Sequence, residues 1–93
     1  METLSVLIDN SPETVNLLQS ALAKERYFLQ IGVEKTRARI QQFEQQYGAT
    51  LTQILDQERE IDHTDLAEWE GETEILRRLT KKIQNLEKIE TCI

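Results

Sequence analysis

The sequence predicts an all-α fold: an antiparallel helical hairpin of two long helices joined by a short helical elbow. The 93 residues include one proline and three glycines, too few turn-forming residues for a β-sheet protein. Apolar residues recur mostly every three, four or seven positions over two long stretches, which is the period of an amphipathic helix. Hydrophobic residues make up 39% of the chain. This length and composition allow one domain with a modest core.

The first long helix is predicted over residues 12–47. Ser11 is placed to accept a hydrogen bond from the first helical turn, and Pro12 suits the first helical position. No further proline follows, and Gly32 is expected to mark a close contact between helices. Residues 1–11 form an N-terminal arm, and residues 12–93 form the helical hairpin domain. The apolar stripe of the helix comprises Val15, Leu18, Leu22, Leu29, Val33, Ile40, Phe43 and Tyr47.

The elbow is predicted as a short helix over residues 50–59. Gly48 is suited to end the first helix as a left-handed cap. Thr50 and Gln53 have the spacing of a capping box, which starts a new helix. Residues 60–64 connect the elbow to the third helix, with Asp62 or Thr64 as its cap.

The third helix is predicted over residues 65–91, with coiled-coil-like spacing of its apolar residues. Its stripe comprises Leu66, Trp69, Thr73, Leu76, Leu79, Ile83, Leu86 and Ile93. Two helices cannot cover stripes that are widened by flanking apolar residues, here Leu17, Ala21, Phe28, Ile31, Ile75 and Ile89. The sequence therefore predicts that the hairpin completes a helix bundle by forming a homodimer or a higher homo-oligomer.

Charge is distributed in blocks along the chain, which carries −6 overall. Residues 24–39 and 75–93 each carry +3, whereas residues 56–74 hold nine acidic residues against Arg59 alone. In a hairpin, residues 38–47 face residues 65–74, so the elbow end is acidic and the open end basic. A two-fold dimer of antiparallel hairpins would set acidic ends against basic ends. The acidic balance argues against a general nucleic-acid-binding protein.

Enzymatic chemistry is not indicated, and we expect no catalytic residues and no cofactor. The chain has one histidine and one cysteine, and its glycines stand alone, so it shows neither a nucleophile–base arrangement nor a phosphate-binding loop. Glu60 and His63 have the Glu-x-x-His spacing of di-metal bundles. Both fall in the predicted connection, where a solvated loop is the simpler interpretation, so no metal site is predicted.

The predicted location is the cytoplasm, with no membrane contact. Cys92 has no second cysteine to pair with, which is typical of a reducing compartment. Residues 1–8 lack the basic region and long apolar run of a signal peptide, and no apolar segment is long enough to span a membrane.

The acidic run Glu68–Glu74 around the single tryptophan supplies the candidate partner-binding residues. A solvated acidic face is the simplest interpretation of the alternating glutamates. Alternatively, Glu68, Glu70 and Glu72 meet basic side chains of a protein partner, with Trp69 as an aromatic anchor beside Leu66. Nucleic-acid binding by the basic stretch Lys35–Arg39 is a less favoured interpretation. The stretch lacks interleaved aromatic residues, and its arginines point in different directions around the helix.

Two segments carry a resemblance to a known family. Phe43–Gly48 closes one long helix with Tyr-Gly, and Asp65–Gly71 opens the next with Glu-Trp-Glu-Gly. Over residues 15–90 the chain resembles a family of small, mostly uncharacterised archaeal and bacterial helical proteins with this pattern. Where that family commonly has an aromatic residue before Glu-Trp-Glu, this chain has Leu66 or Ala67. Family members look like partners in toxin–antitoxin gene pairs and have no established catalytic residues.

The functional prediction is a non-enzymatic protein-interaction module, antitoxin-like, that binds and neutralises a protein partner. One alternative is a self-assembling structural coiled-coil protein without a toxin partner. A further alternative is a nucleic-acid-associated accessory factor.

Overall fold

The protein is an antiparallel helical hairpin in the computed structural model, which describes residues 11–92. Helix α1 spans Pro12–Tyr47, α2 spans Leu51–Asp56 and α3 spans His63–Cys92. The hairpin measures 59 × 21 × 18 Å, and α1 packs along α3. The predicted all-α class and hairpin architecture are confirmed. Most of the predicted N-terminal arm, residues 1–10, and Ile93 of the third stripe lie outside the described residues.

Both ends of α1 have the predicted caps. The Ser11 side chain accepts a hydrogen bond from the Thr14 amide at 3.2 Å. Gly48 adopts the left-handed conformation with φ of 64°, and its amide bonds to the Glu44 carbonyl. A side chain is disfavoured at this φ, so glycine allows the chain to leave α1 sharply toward the elbow.

The elbow helix α2 starts as predicted but is shorter. The Thr50 hydroxyl and Gln53 amide, and the Gln53 side chain and Thr50 amide, form both bonds of the capping box. The predicted range of 50–59 was too long, because Glu58 takes a positive φ of 50° and turns the chain out of the helix. Helix α3 begins slightly before its predicted start, because Asp62 caps it by accepting from the amides of Thr64 and Asp65.

The core is small and lies in the seam between α1 and α3 and beneath the elbow. Its buried apolar residues are Leu29, Val33, Ile54 and Trp69, and the polar Thr36 is buried with them. A methyl group placed on Gly32 would lie 3.2 Å from the Leu79 Cδ1 atom, so the predicted close contact at this glycine is confirmed. No other part of the described chain covers the two sides of the hairpin.

No helix among the described residues is both long and apolar enough to span a membrane.

Candidate interaction site at the elbow end

Trp69 is the centre of an aromatic cluster at the elbow end, the end of the hairpin where α1, α2 and α3 meet. It is 1% exposed and stacks on Phe43 and Tyr47, with ring-centroid distances of 5.5 and 5.9 Å. Phe43 and Tyr47 are four residues apart and therefore share the face of α1 that meets α3. A partner cannot reach the Trp69 ring in the closed hairpin. The structure therefore places Trp69 beneath two aromatic side chains of α1, and its predicted contact with a partner stays a prediction.

A polar cluster closes the hairpin beside these rings. The Tyr47 hydroxyl and the Gln46 side-chain amide both donate to the Asp65 Oδ2 atom. The bond to the Asp65 carboxylate raises the pKa of Tyr47, because it holds the phenol in its protonated form. Arg59 donates to the Tyr47 carbonyl at 2.9 Å. The bond between Tyr47 and Asp65 follows from the predicted pairing of residues 38–47 with 65–74, although sequence reasoning did not identify it.

The four glutamates of the acidic run have different environments. Glu68 and Glu70 are exposed. Glu72 has a side chain that is only 15% exposed, and its carboxylate accepts from Arg39 at 3.0 Å. Glu74 accepts from Arg77 and Arg78 within α3, at 2.7 and 3.0 Å. These two guanidinium groups lower the pKa of Glu74 to about 2. Of the predicted acidic contacts, therefore, Glu68 and Glu70 are the ones that face solvent.

A groove lies beside the aromatic cluster and is bordered by charge. This lateral groove has a volume of about 410 Å³ and is lined by Arg39, Gln42, Phe43, Glu68, Gly71, Glu72 and Ile75. The Glu72 Oε2 atom is buried there and makes no hydrogen bond within the described residues. The groove therefore combines an apolar wall, from Phe43 and Ile75, with a charged rim of Glu68, Glu72 and Arg39.

A second concavity, the elbow pocket, lies where the chain leaves α2. It has a volume of about 630 Å³ and is lined by Tyr47, Leu66 and residues 58–63. The half-buried Leu66, a predicted contact residue, is therefore part of the elbow surface. Glu60 and His63 both line this pocket, but residues 11–92 contain no group of three or more His, Cys, Asp or Glu arranged to hold a metal ion.

One side of the hairpin exposes large apolar residues. Leu17 is 73% exposed, Phe28 66% and Ile75 44%. One side of α1 carries Leu17, Phe28 and Arg39, because these residues are spaced eleven positions apart, which is about three helical turns. Arg39 and Ile75 line the same groove, which places Ile75 on that side too. We call the side that carries Leu17, Phe28 and Ile75 the lateral face.

The basic block of α1 is partly paired within the chain. Arg26 donates to Glu90 at 2.9 Å, and Arg39 donates to Glu72. These bonds tie two of its five basic side chains to α3, which reduces the charge available for a phosphate backbone.

Comparisons with known proteins gave no assignment. No family model matches the chain, and no curated protein and no solved structure matches it.

Proposed function

We propose that this protein is a non-enzymatic protein-interaction module, antitoxin-like, that binds and neutralises a protein partner in the cytoplasm. The observation that carries the proposal is the number of large apolar side chains left in solvent by so slender a hairpin. Among the described residues, Leu17, Tyr27, Phe28 and Leu55 are each at least half exposed, whereas only four apolar residues are buried. Apolar surface left open in this way is typical of chains that complete their packing against another protein.

The elbow end supports a partner of basic character. Its exposed carboxylates include Glu68 and Glu70, and Leu55 supplies an apolar side chain that is 50% exposed at the same end. Leu66 contributes to the wall of the elbow pocket. A partner with Lys or Arg around an apolar contact would complement this surface. Trp69 and Glu72 support the surface from beneath, through the aromatic cluster and the ion pair with Arg39.

The antitoxin-like part of the proposal draws on the Tyr-Gly and Glu-Trp-Glu-Gly segments. In the structure these two segments pack against each other, since Phe43 and Tyr47 of the first stack on Trp69 of the second. The pattern is therefore explained by one structural unit, the closed elbow end, which would present the neighbouring carboxylates in a fixed arrangement.

Co-expression with the product of the adjacent gene tests this function. We expect the wild-type chain to co-purify with that product and to relieve any growth arrest that it causes. The double variant Glu68→Lys/Glu70→Lys should lose at least tenfold in affinity for that product. It replaces two exposed carboxylates by lysines, which would repel the positive charges of a basic partner. A matched control, Glu25→Lys/Glu34→Lys, changes the same charge at exposed positions of α1 and should bind normally.

Two results would count against the proposal. One is wild-type protein that neither captures the adjacent product nor changes growth. The other is an equal loss of binding in both double variants, which would indicate dependence on net charge rather than on the elbow surface.

A second candidate function, a self-assembling structural protein without a toxin partner, is favoured by the apolar lateral face. It differs in its expected result, because the purified chain would then assemble with itself and no second protein would be required.

A further inference from the structure

We propose that the lateral face binds a second copy of this chain, with Phe28 of each copy inserted into the lateral groove of the other. Phe28 is 66% exposed in the single hairpin. Burying an aromatic side chain of this kind is among the largest apolar gains available to the molecule. The lateral groove offers apolar contacts from Phe43 and Ile75 on the same side of the hairpin.

Two-fold symmetry makes this contact reciprocal. Phe28 and the groove residue Phe43 are separated by about 22 Å along α1 at 1.5 Å per residue. A two-fold axis that crosses the lateral face halfway between them exchanges each Phe28 with the groove of the other copy. The two hairpins then run antiparallel, and one contact type is made twice.

Charge on the lateral face fits this arrangement. Lys24 lies one helical turn before Phe28, and Lys82 lies seven residues after Ile75, so both lysines share the face with these apolar residues. Both are exposed. The groove that would receive Phe28 is rimmed by the exposed Glu68 and by Glu72, which pairs with Arg39. Lysines beside the inserted side chain thus approach carboxylates beside the groove, which favours this orientation over parallel hairpins that bring like charges together.

The centre of the interface contains one unfavourable pair. Lys35 lies halfway between Phe28 and Phe43. Near the two-fold axis it would therefore meet Lys35 of the second copy. It is exposed, and its long side chain can carry the ammonium group out to solvent while its methylene groups cover the interface. Replacing Lys35 by leucine should therefore tighten the dimer.

The purified chain alone tests this dimer, by sedimentation velocity over a range of micromolar concentrations. We expect a wild-type dimer, at least tenfold weakening in Phe28→Asp and tighter association in Lys35→Leu. The matched control is Tyr27→Asp, because Tyr27 is 61% exposed but points about 100° away from Phe28 around the helix. It should dimerise as the wild type does. Circular dichroism checks that each variant keeps its helices.

A charge exchange tests the orientation. Lys82→Glu and Glu68→Lys should each weaken the dimer, and the chain that carries both changes should regain most of the affinity, because the pair is restored with its signs reversed. A wild-type chain that sediments as a monomer would overturn the proposal. So would a dimer that Tyr27→Asp weakens as much as Phe28→Asp does.

Partner capture at the elbow end is scored separately, with the monomeric Phe28→Asp chain as bait.

Discussion

Trp69 shows how one residue can dominate a small core. It is the only tryptophan, it is 1% exposed, and it contacts both aromatic rings that α1 presents at the elbow end. Stacked aromatic pairs contribute beyond the area they bury, by about 0.5–1.5 kcal/mol each. Because only three other apolar residues of the described chain are buried, Trp69 carries an unusually large share of the stability of the hairpin.

Removal of this ring should therefore unfold the hairpin. We expect Trp69→Ala to lower the free energy of unfolding by about 3–5 kcal/mol, a large part of the roughly 5–15 kcal/mol typical of a whole domain. Trp69→Phe should lose less, because it keeps an aromatic ring beside Phe43. Urea denaturation followed by far-UV circular dichroism measures both. A Trp69→Ala chain within about 1 kcal/mol of wild type would contradict the role assigned to this cluster.

Glu74 links the acidic run to the pH dependence of stability. Hydrogen bonds from Arg77 and Arg78 lower its pKa from an ordinary 4.5 to about 2. A carboxylate with a lower pKa in the folded state binds fewer protons there than in the unfolded chain. Its contribution to stability is therefore fully present above pH 4.5 and is lost as the pH falls toward 2.

Glu74→Gln should accordingly flatten the acid limb of the stability curve. The urea midpoint of the variant should fall less steeply than that of the wild type between pH 4.5 and 2. Glu70→Gln is the matched control, because Glu70 lies one turn earlier on α3 and is exposed, and we expect it to leave the slope unchanged. Equal slopes in wild type and Glu74→Gln would show that the ion pairs with Arg77 and Arg78 do not form in solution.

At the scale of the helices, Gly32 and Gly71 both lie inside a long helix but have different neighbouring atoms. A methyl group at Gly71 would have no atom within 4 Å, whereas one at Gly32 would lie 3.2 Å from the Leu79 Cδ1 atom. Gly32 is therefore a contact between α1 and α3, and Gly71 borders the open lateral groove. The same residue type marks closed packing in one helix and unfilled space in the other.

Alanine substitution should separate these two roles. Gly71→Ala should raise the free energy of unfolding by about 1 kcal/mol, the difference in helix propensity between glycine and alanine. Gly32→Ala should gain less, because Leu79 must move to admit the new methyl group. Urea titrations in the Phe28→Asp background keep self-association from contributing. A larger gain at Gly32 than at Gly71 would show that α1 and α3 are less closely packed there than the structure has them.

At the scale of the whole molecule, the two proposed binding surfaces lie at the elbow end and along the lateral face of the hairpin. The aromatic cluster and the bond between Tyr47 and Asp65 close the elbow end and hold the exposed carboxylates in place. The lateral face, with Leu17, Phe28 and Ile75, is apolar between basic residues. Partner binding at the elbow end and self-association along the lateral face share Glu68 but otherwise depend on different side chains. Because Phe28→Asp should abolish only self-association, capture with that chain as bait scores partner binding by itself.

The local structure was determined by the sequence itself. The bounds of α1, the Gly48 cap and the capping box of Thr50 depend on side chains acting within a few residues of their own backbone, and such effects can be read from the order of residues. The turn at Glu58 was missed because no local signal marks a glutamate with positive φ. Helical periodicity also predicted that residues 38–47 would face residues 65–74, as the contact between Phe43 and Trp69 confirms.

Only the tertiary structure decided which side chains of the acidic run are available. Sequence spacing treats Glu68 and Glu72 alike, since they are one helical turn apart. The packing of α1 on α3 leaves Glu68 exposed but brings Arg39 onto Glu72, and it places Phe43 and Tyr47 over Trp69. Burial of a side chain depends on what another helix sets against it, so the exposed and buried members of the run become distinguishable only when both helices are in place.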